Sequence, residues 1–258
     1  MWDVDRLDLP AYLERTGMGE TSTLAELHRA HIAAIPFENL DIRLGRGIAV
    51  DLDSIQAKLV HARRGGYCYE HGLLFAAALE RLGYQVVRLL CRVGGYTDQP
   101  RGRTHAALLV RGEGDRWLAD VGFGGGLLEP LLFAPGVEQR QGRWSFRIVP
   151  AGPGFEVQER RPDGWAALYG FAEERQYPAD FVVANHYTST FPRSPFVTRT
   201  VVTRRDEQAL QELVDHTLTV TGPDYVPDER AVDLAEVLPQ LGLELSREEL
   251  EVLEDVQV

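Results

Sequence analysis

Residues 68–90, Cys68-Tyr69-Glu70-His71-Gly72-Leu73-Leu74-Phe75-Ala76-Ala77-Ala78-Leu79-Glu80-Arg81-Leu82-Gly83-Tyr84-Gln85-Val86-Val87-Arg88-Leu89-Leu90, decide the fold, because the chain changes its periodicity inside them. Up to Gly83 the stretch is rich in helix formers, Ala76 to Glu80 above all, and Gly83 suits the position just past a helix end. From Gln85 the apolar run is strand-like. Upstream, the readable segments are helical. Asp8 can cap a helix through Glu14. Thr23 and Glu26 stand at capping-box spacing before a helix through Ala34, which Pro36 stops. A third helical stretch, Asp53 to His61, has Ile55, Leu59 and Val60 as its apolar face. Downstream come short strands at Thr104–Val110, Trp117–Val121, Trp144–Val149, Phe155–Glu159 and Trp165–Gly170, with turns such as Arg161-Pro162-Asp163-Gly164 between them. Short strands with polar turns predict an antiparallel sheet curled into a barrel. Past residue 190 the pattern is mixed: strands at Val197–Thr203 and His216–Val220, helices at Arg230–Leu241 and Ser246–Leu253. The expectation is an α+β chain in three segments, 1–83, 84–190 and 191–258, packed as one body.

The chain has 258 residues, 27 Lys and Arg against 39 Asp and Glu, and a net charge of −12. That balance argues against a nucleic-acid binder, which needs clustered cations to neutralise phosphates, and against a protein held on anionic membranes. No apolar run approaches the ~18–20 residues of a membrane span. The first residues, acidic and mixed, do not read as a signal peptide. Two cysteines, Cys68 and Cys91, do not make a disulfide scaffold, and a reducing cytoplasm is the expected compartment.

Cys68 stands at the start of the long helix, after Arg63-Arg64-Gly65-Gly66. Unpaired N–H groups and partial positive charge at a helix start favour a thiolate. A packed core cysteine is the plainer reading of the same position. A nucleophile needs a base, and of seven histidines His105 is distinctive, opening the apolar run Ala106 to Val110. Asp120 is embedded in Trp117-Leu118-Ala119-Asp120-Val121-Gly122, where a carboxylate needs a partner. It can orient a histidine or hold the turn that follows it. Cys, His and Asp in that order, 37 and 15 residues apart, fit a cysteine triad on a helix and two strands. Metal-ligand spacings are missing from the sequence. Gly122-Phe123-Gly124-Gly125-Gly126 lacks the phosphate-loop and dinucleotide patterns and reads as a turn allowing close approach. Cys91, between Leu90 and Arg92 in a strand, reads as core.

These residues resemble a known family. Arg64-Gly65-Gly66-Tyr67-Cys68-Tyr69-Glu70 is similar to the nucleophile motif of the arylamine N-acetyltransferases. Pro36-Phe37-Glu38-Asn39-Leu40, Thr104-His105, Asp120-Val121-Gly122-Phe123-Gly124 and Ser189 to Phe196 resemble further motifs of that family, in its order, over residues 36–196. The resemblance implies an N-terminal helical bundle, a β-barrel and a C-terminal α/β lid. It implies that Cys68 is acylated by acetyl-CoA, a co-substrate with no permanent cofactor beside it. His105 would serve as base and acid, Asp120 as its orienter, and the backbone N–H groups of Cys68 and Thr104 as oxyanion donors. Phe37, Val93, Phe123 and Phe196 would line the acceptor pocket, and local donors near Gly124 and Arg193 would meet coenzyme A. One departure stands out: His71-Gly72 occupies the place where many relatives carry asparagine. The C-terminus is also somewhat short, so less lid is expected over the donor cleft.

Two acyltransferase readings follow from the resemblance. The first moves acetyl to a small arylamine or hydrazine. The second, the ansamycin amide synthase branch, closes a macrolactam from a thioester that an acyl carrier protein can present. A thiol protease or transglutaminase-like enzyme shares the triad but not the Phe-Glu-Asn and Arg-Gly-Gly motifs together. A non-enzymatic binding module requires Cys68, His105 and Asp120 to be scattered.

Overall fold

A computed structural model describes residues 2–255 apart from 100, 113 and 223. Its N-terminal part is helical for the reasons given by its caps. Helix α1, Leu9–Thr16, starts where the Ala11 N–H donates to the Asp8 carboxylate at 3.0 Å. Helix α2, Leu24–Ala34, carries a complete capping box: Glu26 N–H donates to Thr23 Oγ1 and Thr23 N–H to Glu26 Oε2. The chain then forms a two-residue strand β1, Phe37–Glu38, and a short helix α3, Leu40–Arg43. Helix α4 spans Leu52–Gln56 and widens into a π turn over Ala57–His61, where Ala62 N–H reaches back to the Ala57 carbonyl. Helix α5, Cys68–Arg81, is buried from Cys68 through Leu79. A helix apolar on nearly every side belongs in a core, and α1, α2 and α4 pack around it, with Tyr12, Leu27, Ile55, Leu59 and Phe75 in one cluster.

The barrel strands are β2 Gln85–Val93, β3 His105–Gly112, β4 Asp115–Ala119, β5 Leu131–Leu132, β6 Glu138–Gln141, β7 Trp144–Ala151, β8 Gly154–Arg161 and β9 Gly164–Phe171. Among the described residues these eight form one antiparallel sheet in the order β5-β4-β3-β2-β9-β8-β7-β6. Its core holds Leu89, Cys91, Leu118, Trp144, Phe146, Ile148 and Tyr169. The two edges, β5 and β6, are joined by side chains standing in for a ladder. Leu132 N–H donates to Gln139 Oε1 at 2.7 Å, and Gln139 Nε2 donates to the Leu132 carbonyl at 2.9 Å. Gln141, two residues on and on the same face, accepts from Leu128 and Glu129 N–H and donates to the Glu129 carbonyl. The barrel is thereby nearly closed.

Helix α6, Pro178–Thr190, leads back to the bundle, where its Phe181 is buried in the bundle core. A turn of helix α7, Pro195–Thr198, precedes β10 Val201–Arg205, β11 Leu210–Val214, β12 Thr217–Thr221 and β13 Pro227–Ala231, then α8 Leu234–Gln240 and α9 Arg247–Asp255. These strands order as β1-β10-β11-β12-β13, so Phe37–Glu38 from the N-terminal segment completes the sheet of the C-terminal one. Two expectations shift here. The strand expected from Val197 starts at Val201, because Val197 N–H bonds to the Ser194 carbonyl in the α7 turn. The helix expected from Arg230 starts at Leu234, capped by Asp233, while 227–231 pair with β12 as an exposed edge strand. No helix of the described residues is long and apolar enough to cross a membrane.

Candidate active site

Cys68 is the first residue of α5, His105 the first of β3, and Asp120 the first after β4. The register Leu108↔Ala119 brings the β3 and β4 ends side by side, and α5 packs across β3. His105 Nε2 lies 2.8 Å from Asp120 Oδ2, and both side chains are buried. The other carboxylate oxygen accepts the Gly122 N–H at 3.0 Å. Asp120 therefore holds the turn and meets the histidine at once. Burial pushes its carboxyl up, but the charge and hydrogen bond of His105 outweigh that and hold it below the usual carboxylate range. The Tyr169 hydroxyl lies near enough to help ionise it, though outside hydrogen-bond geometry. The Tyr169 and Phe123 rings pack on His105 with centroids 4.8 and 5.0 Å away.

Cys68 is a free thiol, 3% exposed, with Sγ 3.8 Å from the Thr104 carbonyl. Burial pushes this thiol up, while backbone hydrogen bonds from Ala106 and Tyr69 pull it down. The start of a helix alone therefore does not ionise this thiol, because burial outweighs it. Arg64 adds no charge at the sulfur, because it pairs with Glu38 at 3.1 Å. Gly122 brings the two halves of the site together. A Cβ on it would lie 2.9 Å from the Cys68 Cα and carbonyl oxygen, closer than packed atoms approach.

A cleft of about 470 Å³ opens over these residues. Its walls include Cys68, His105, Thr104 and all four residues expected at an acceptor pocket, Phe37, Val93, Phe123 and Phe196. Arg193 lines it as well, together with Arg101, Tyr187 and Phe191, which the sequence reading missed. Tyr187 and Phe191 stack at 4.8 Å and are four residues apart, a spacing that becomes legible only once α6 is known to be helical. Gly124 is not on this cleft. At φ 82° it sits against Phe37 and the Thr203 side chain, where a Cβ would collide. Among the described residues there is no group of three or more His, Cys, Asp or Glu arranged to hold a metal.

The profile of the family described as N-acetyltransferase matches residues 20–248. The arylamine N-acetyltransferase / N-hydroxyarylamine O-acetyltransferase of Salmonella typhimurium is 39% identical over 184 residues, 70% of this chain and 65% of that enzyme. The chain belongs to the arylamine N-acetyltransferase family. It thus spans just under two thirds of that relative's length in the aligned stretch. The crystal structure of the Nocardia farcinica arylamine N-acetyltransferase superposes with a TM-score of 0.90 at 42% identity, covering 98% of this chain and 95% of that one. The Mycobacterium marinum arylamine N-acetyltransferase in complex with CoA gives a TM-score of 0.88 at 32% identity, covering 97% and 100%.

In this member of the arylamine N-acetyltransferase family, each motif residue has a physical task. Phe37 walls the cleft. Glu38 accepts Leu40 N–H at 2.6 Å and pairs with Arg64. Asn39 donates to the carbonyls of Phe196 and Arg199, both at 2.7 Å, and accepts Val201 N–H at 2.7 Å, so it ties the C-terminal segment to residues 37–40. Glu70 accepts Tyr67 N–H at 3.0 Å and pairs with Lys58 at 2.9 Å; Lys58 also meets Asp41 at 2.9 Å. Lys58 is the only lysine of the sequence, and the carboxylates around it keep it charged despite burial. The departure at 71 is also explained. His71 Nε2 lies 3.2 Å from the Pro36 carbonyl, which can only accept, so this nitrogen carries the proton. His71 Nδ1 then accepts from His31 Nε2–H at 2.9 Å, and His31 Nδ1 accepts from the Tyr12 hydroxyl at 3.0 Å. Gly72 faces the Ala106 methyl of β3, which a Cβ on it would meet at 3.4 Å.

Proposed function

We propose that this chain moves an acetyl group from acetyl-CoA, through a thioester on Cys68, to the nitrogen of an arylamine or hydrazine. One observation carries the reading: a buried cysteine at a helix start shares a cleft with a histidine whose Nε2 is committed to Asp120 at 2.8 Å. That bond leaves Nδ1 of His105 to take the Cys68 proton. The thiolate attacks the thioester carbonyl, and the N–H groups of Cys68 and Thr104 hold the oxyanion. The intermediate collapses, CoA leaves as its thiol with the proton from His105, and acetyl remains on the sulfur. The amine then attacks this thioester, His105 takes its proton, and the second collapse returns Cys68 and releases the amide. The aromatic wall of Phe37, Phe123 and Phe196 suits a flat acceptor. Arg193 and Arg101 at the cleft supply cations for the phosphates of the donor. The reaction belongs in the cytoplasm, where the thiol stays reduced.

The test is intact-mass analysis after incubation with acetyl-CoA. One acetyl group should appear, mapped to Cys68, and disappear when an arylamine is added. Labelling of Cys91 instead, with Cys68→Ser still active, overturns the reading. The stacked Tyr187 and Phe191 favour a second reading for longer acyl groups, the amide synthase branch, since they extend the cleft with apolar surface. Rapid loading of a long aryl-containing acyl-N-acetylcysteamine beside negligible acetylation would establish it.

A further inference from the structure

The proposed chemistry leaves His28, a fully buried histidine on α2, without a task. Both of its ring nitrogens are engaged. Asp120 N–H donates to His28 Nε2 at 3.2 Å, so that nitrogen is bare. The proton is therefore on Nδ1, which lies 3.1 Å from the Leu128 carbonyl and donates to it. The Phe75 ring packs perpendicular to it, centroids 5.8 Å apart and planes at 87°. A charged ring would turn a second N–H toward the Asp120 N–H, two donors facing each other. Burial keeps the ring neutral, lowering it to about 4.

The place where His28 acts is where the sheet stops acting. β4 ends at Ala119, whose partner is Leu108, and Asp120 is the next residue. Its N–H has no strand opposite and is held by a side chain from another layer of the protein. The Asp120 carboxylate is held by Gly122 N–H on one oxygen and meets His105 on the other. Its aim therefore depends on a backbone whose N–H, among the described residues, is held by His28. We propose that His28 is a positioning residue for the Cys68–His105–Asp120 site, holding the Asp120 backbone so that the carboxylate meets His105 Nε2. This rests on the reading of Asp120 as the orienter of His105.

Two amide variants separate positioning from mere support. In His28→Gln, Oε1 reaches the place of Nε2 and still accepts the Asp120 N–H, but the donor to Leu128 is lost. In His28→Asn, the amide reaches only the place of Nδ1, so Leu128 keeps its donor and Asp120 loses its acceptor. Each variant gives up one buried bond, so their melting temperatures should fall together. The readouts are the single-turnover rate of Cys68 acetylation by acetyl-CoA and the alkylation rate of Cys68 at pH 6 relative to pH 9. His28→Asn is expected to acylate about tenfold or more slowly and to lose reactivity at pH 6, whereas His28→Gln stays within about threefold of the parent, as expected when a reacting group is displaced by a fraction of an ångström. Equal acylation rates in the two variants overturn the proposal. If His28→Asn does not fold, Phe75→Leu frees the same ring without removing either bond. Acylation should then slow about threefold at unchanged acceptor KM, and full speed there counts against His28. Asp120→Asn distinguishes the layers. Full activity in that variant sinks the triad reading itself; loss of activity there, with equal His28 variants, sinks only the role of His28.

Discussion

Cys68 shows how two residue-level effects oppose each other. The helix start and the N–H groups of Ala106 and Tyr69 favour the thiolate, while burial disfavours it more strongly. The two are reconciled if the thiolate forms only as a pair with protonated His105, whose charge Asp120 offsets. Alkylation of the parent protein should then keep a plateau down to about pH 6, well below the ~8.5 of a free thiol. In His105→Ala the rise should move above that free-thiol value, because burial outweighs the backbone N–H groups that remain. A single rise near ~8.5 in both proteins would remove the coupling. Gly122 gives a second residue-scale prediction. Its added Cβ would meet Cys68 backbone at 2.9 Å, and backbone gives way poorly. Gly122→Ala should shift the start of α5 and lower acylation by about tenfold to a hundredfold, with far-UV circular dichroism retained. Unchanged acylation would show that the contact relaxes elsewhere.

At the scale of elements, side-chain hydrogen bonds finish what backbone ladders begin. Gln141 joins the β6 edge to residues 128–129 through three bonds. Gln141→Leu keeps the volume and leaves two N–H groups and a carbonyl without partners. A loss of about 3 kcal/mol is expected in urea unfolding, at the level of one to two buried unsatisfied groups after relaxation. A loss below about 0.5 kcal/mol, the range of ordinary surface changes, would mean the seam contributes nothing. The buried histidines of α2 and α5 predict a pH dependence. Burial lowers His28 and His71 to about 4, and lowers His31 well below its ordinary value. The unfolded chain takes up these protons first as pH falls below about 6.5. Their stabilisation is therefore complete above that pH and is lost as pH falls toward 4, each ring adding a slope of about 1.4 kcal/mol per pH unit. His71→Asn cannot titrate. The slope of stability between pH 6 and pH 5 should be shallower in that variant by about 1.4 kcal/mol per unit, and an identical slope would mean that His71 is not held neutral.

For the whole molecule, the question is what keeps three layers in register around one cleft. Asn39 joins bundle to lid, and Arg205 joins lid to barrel. Arg205, at the end of β10, pairs with Glu159 of β8, donates to the carbonyls of Gly125 and Gly126, and lies 3.6 Å over the Trp144 ring. Both charges are almost fully buried. Removing one partner of such a pair strands the other, at a cost of about 3–5 kcal/mol. Glu159→Ala should lower stability by that amount and reduce acyl transfer, since the glycine-rich turn after Asp120 is held by the same guanidinium. Replacing Glu159 and Arg205 together by apolar residues should restore much of the stability. A single variant as stable as the parent would place the barrel–lid connection elsewhere.

Local chemistry carried much of this into the sequence. The capping box at Thr23 and Glu26, the change of period at Gly83, and the motifs around Cys68, His105 and Asp120 depend on neighbours within a few residues, so they are readable in a line. The α6 helix was not, because it is apolar on its solvent side as well, with Val182, Val183 and Tyr187 exposed, and so has no periodic face. Strand β6, Glu138–Gln141, carries no apolar alternation, because its residues are polar and its backbone partner is β7 alone. Strand β1 was missed because two residues carry no pattern. Their pairing with β10 joins positions more than 160 residues apart. The sequence by itself determined the class of the fold, the place of Cys68 at a helix start and the pairing of His105 with Asp120. Tertiary structure alone decided that Asp120 serves both a turn and a histidine, that Arg64 pairs with Glu38, that Gly124 lies off the cleft, and that His28 and His71 engage both ring nitrogens. The physical reason is that each of these depends on burial and on a partner from a distant element, and neither burial nor a distant partner is a property of a local stretch of chain.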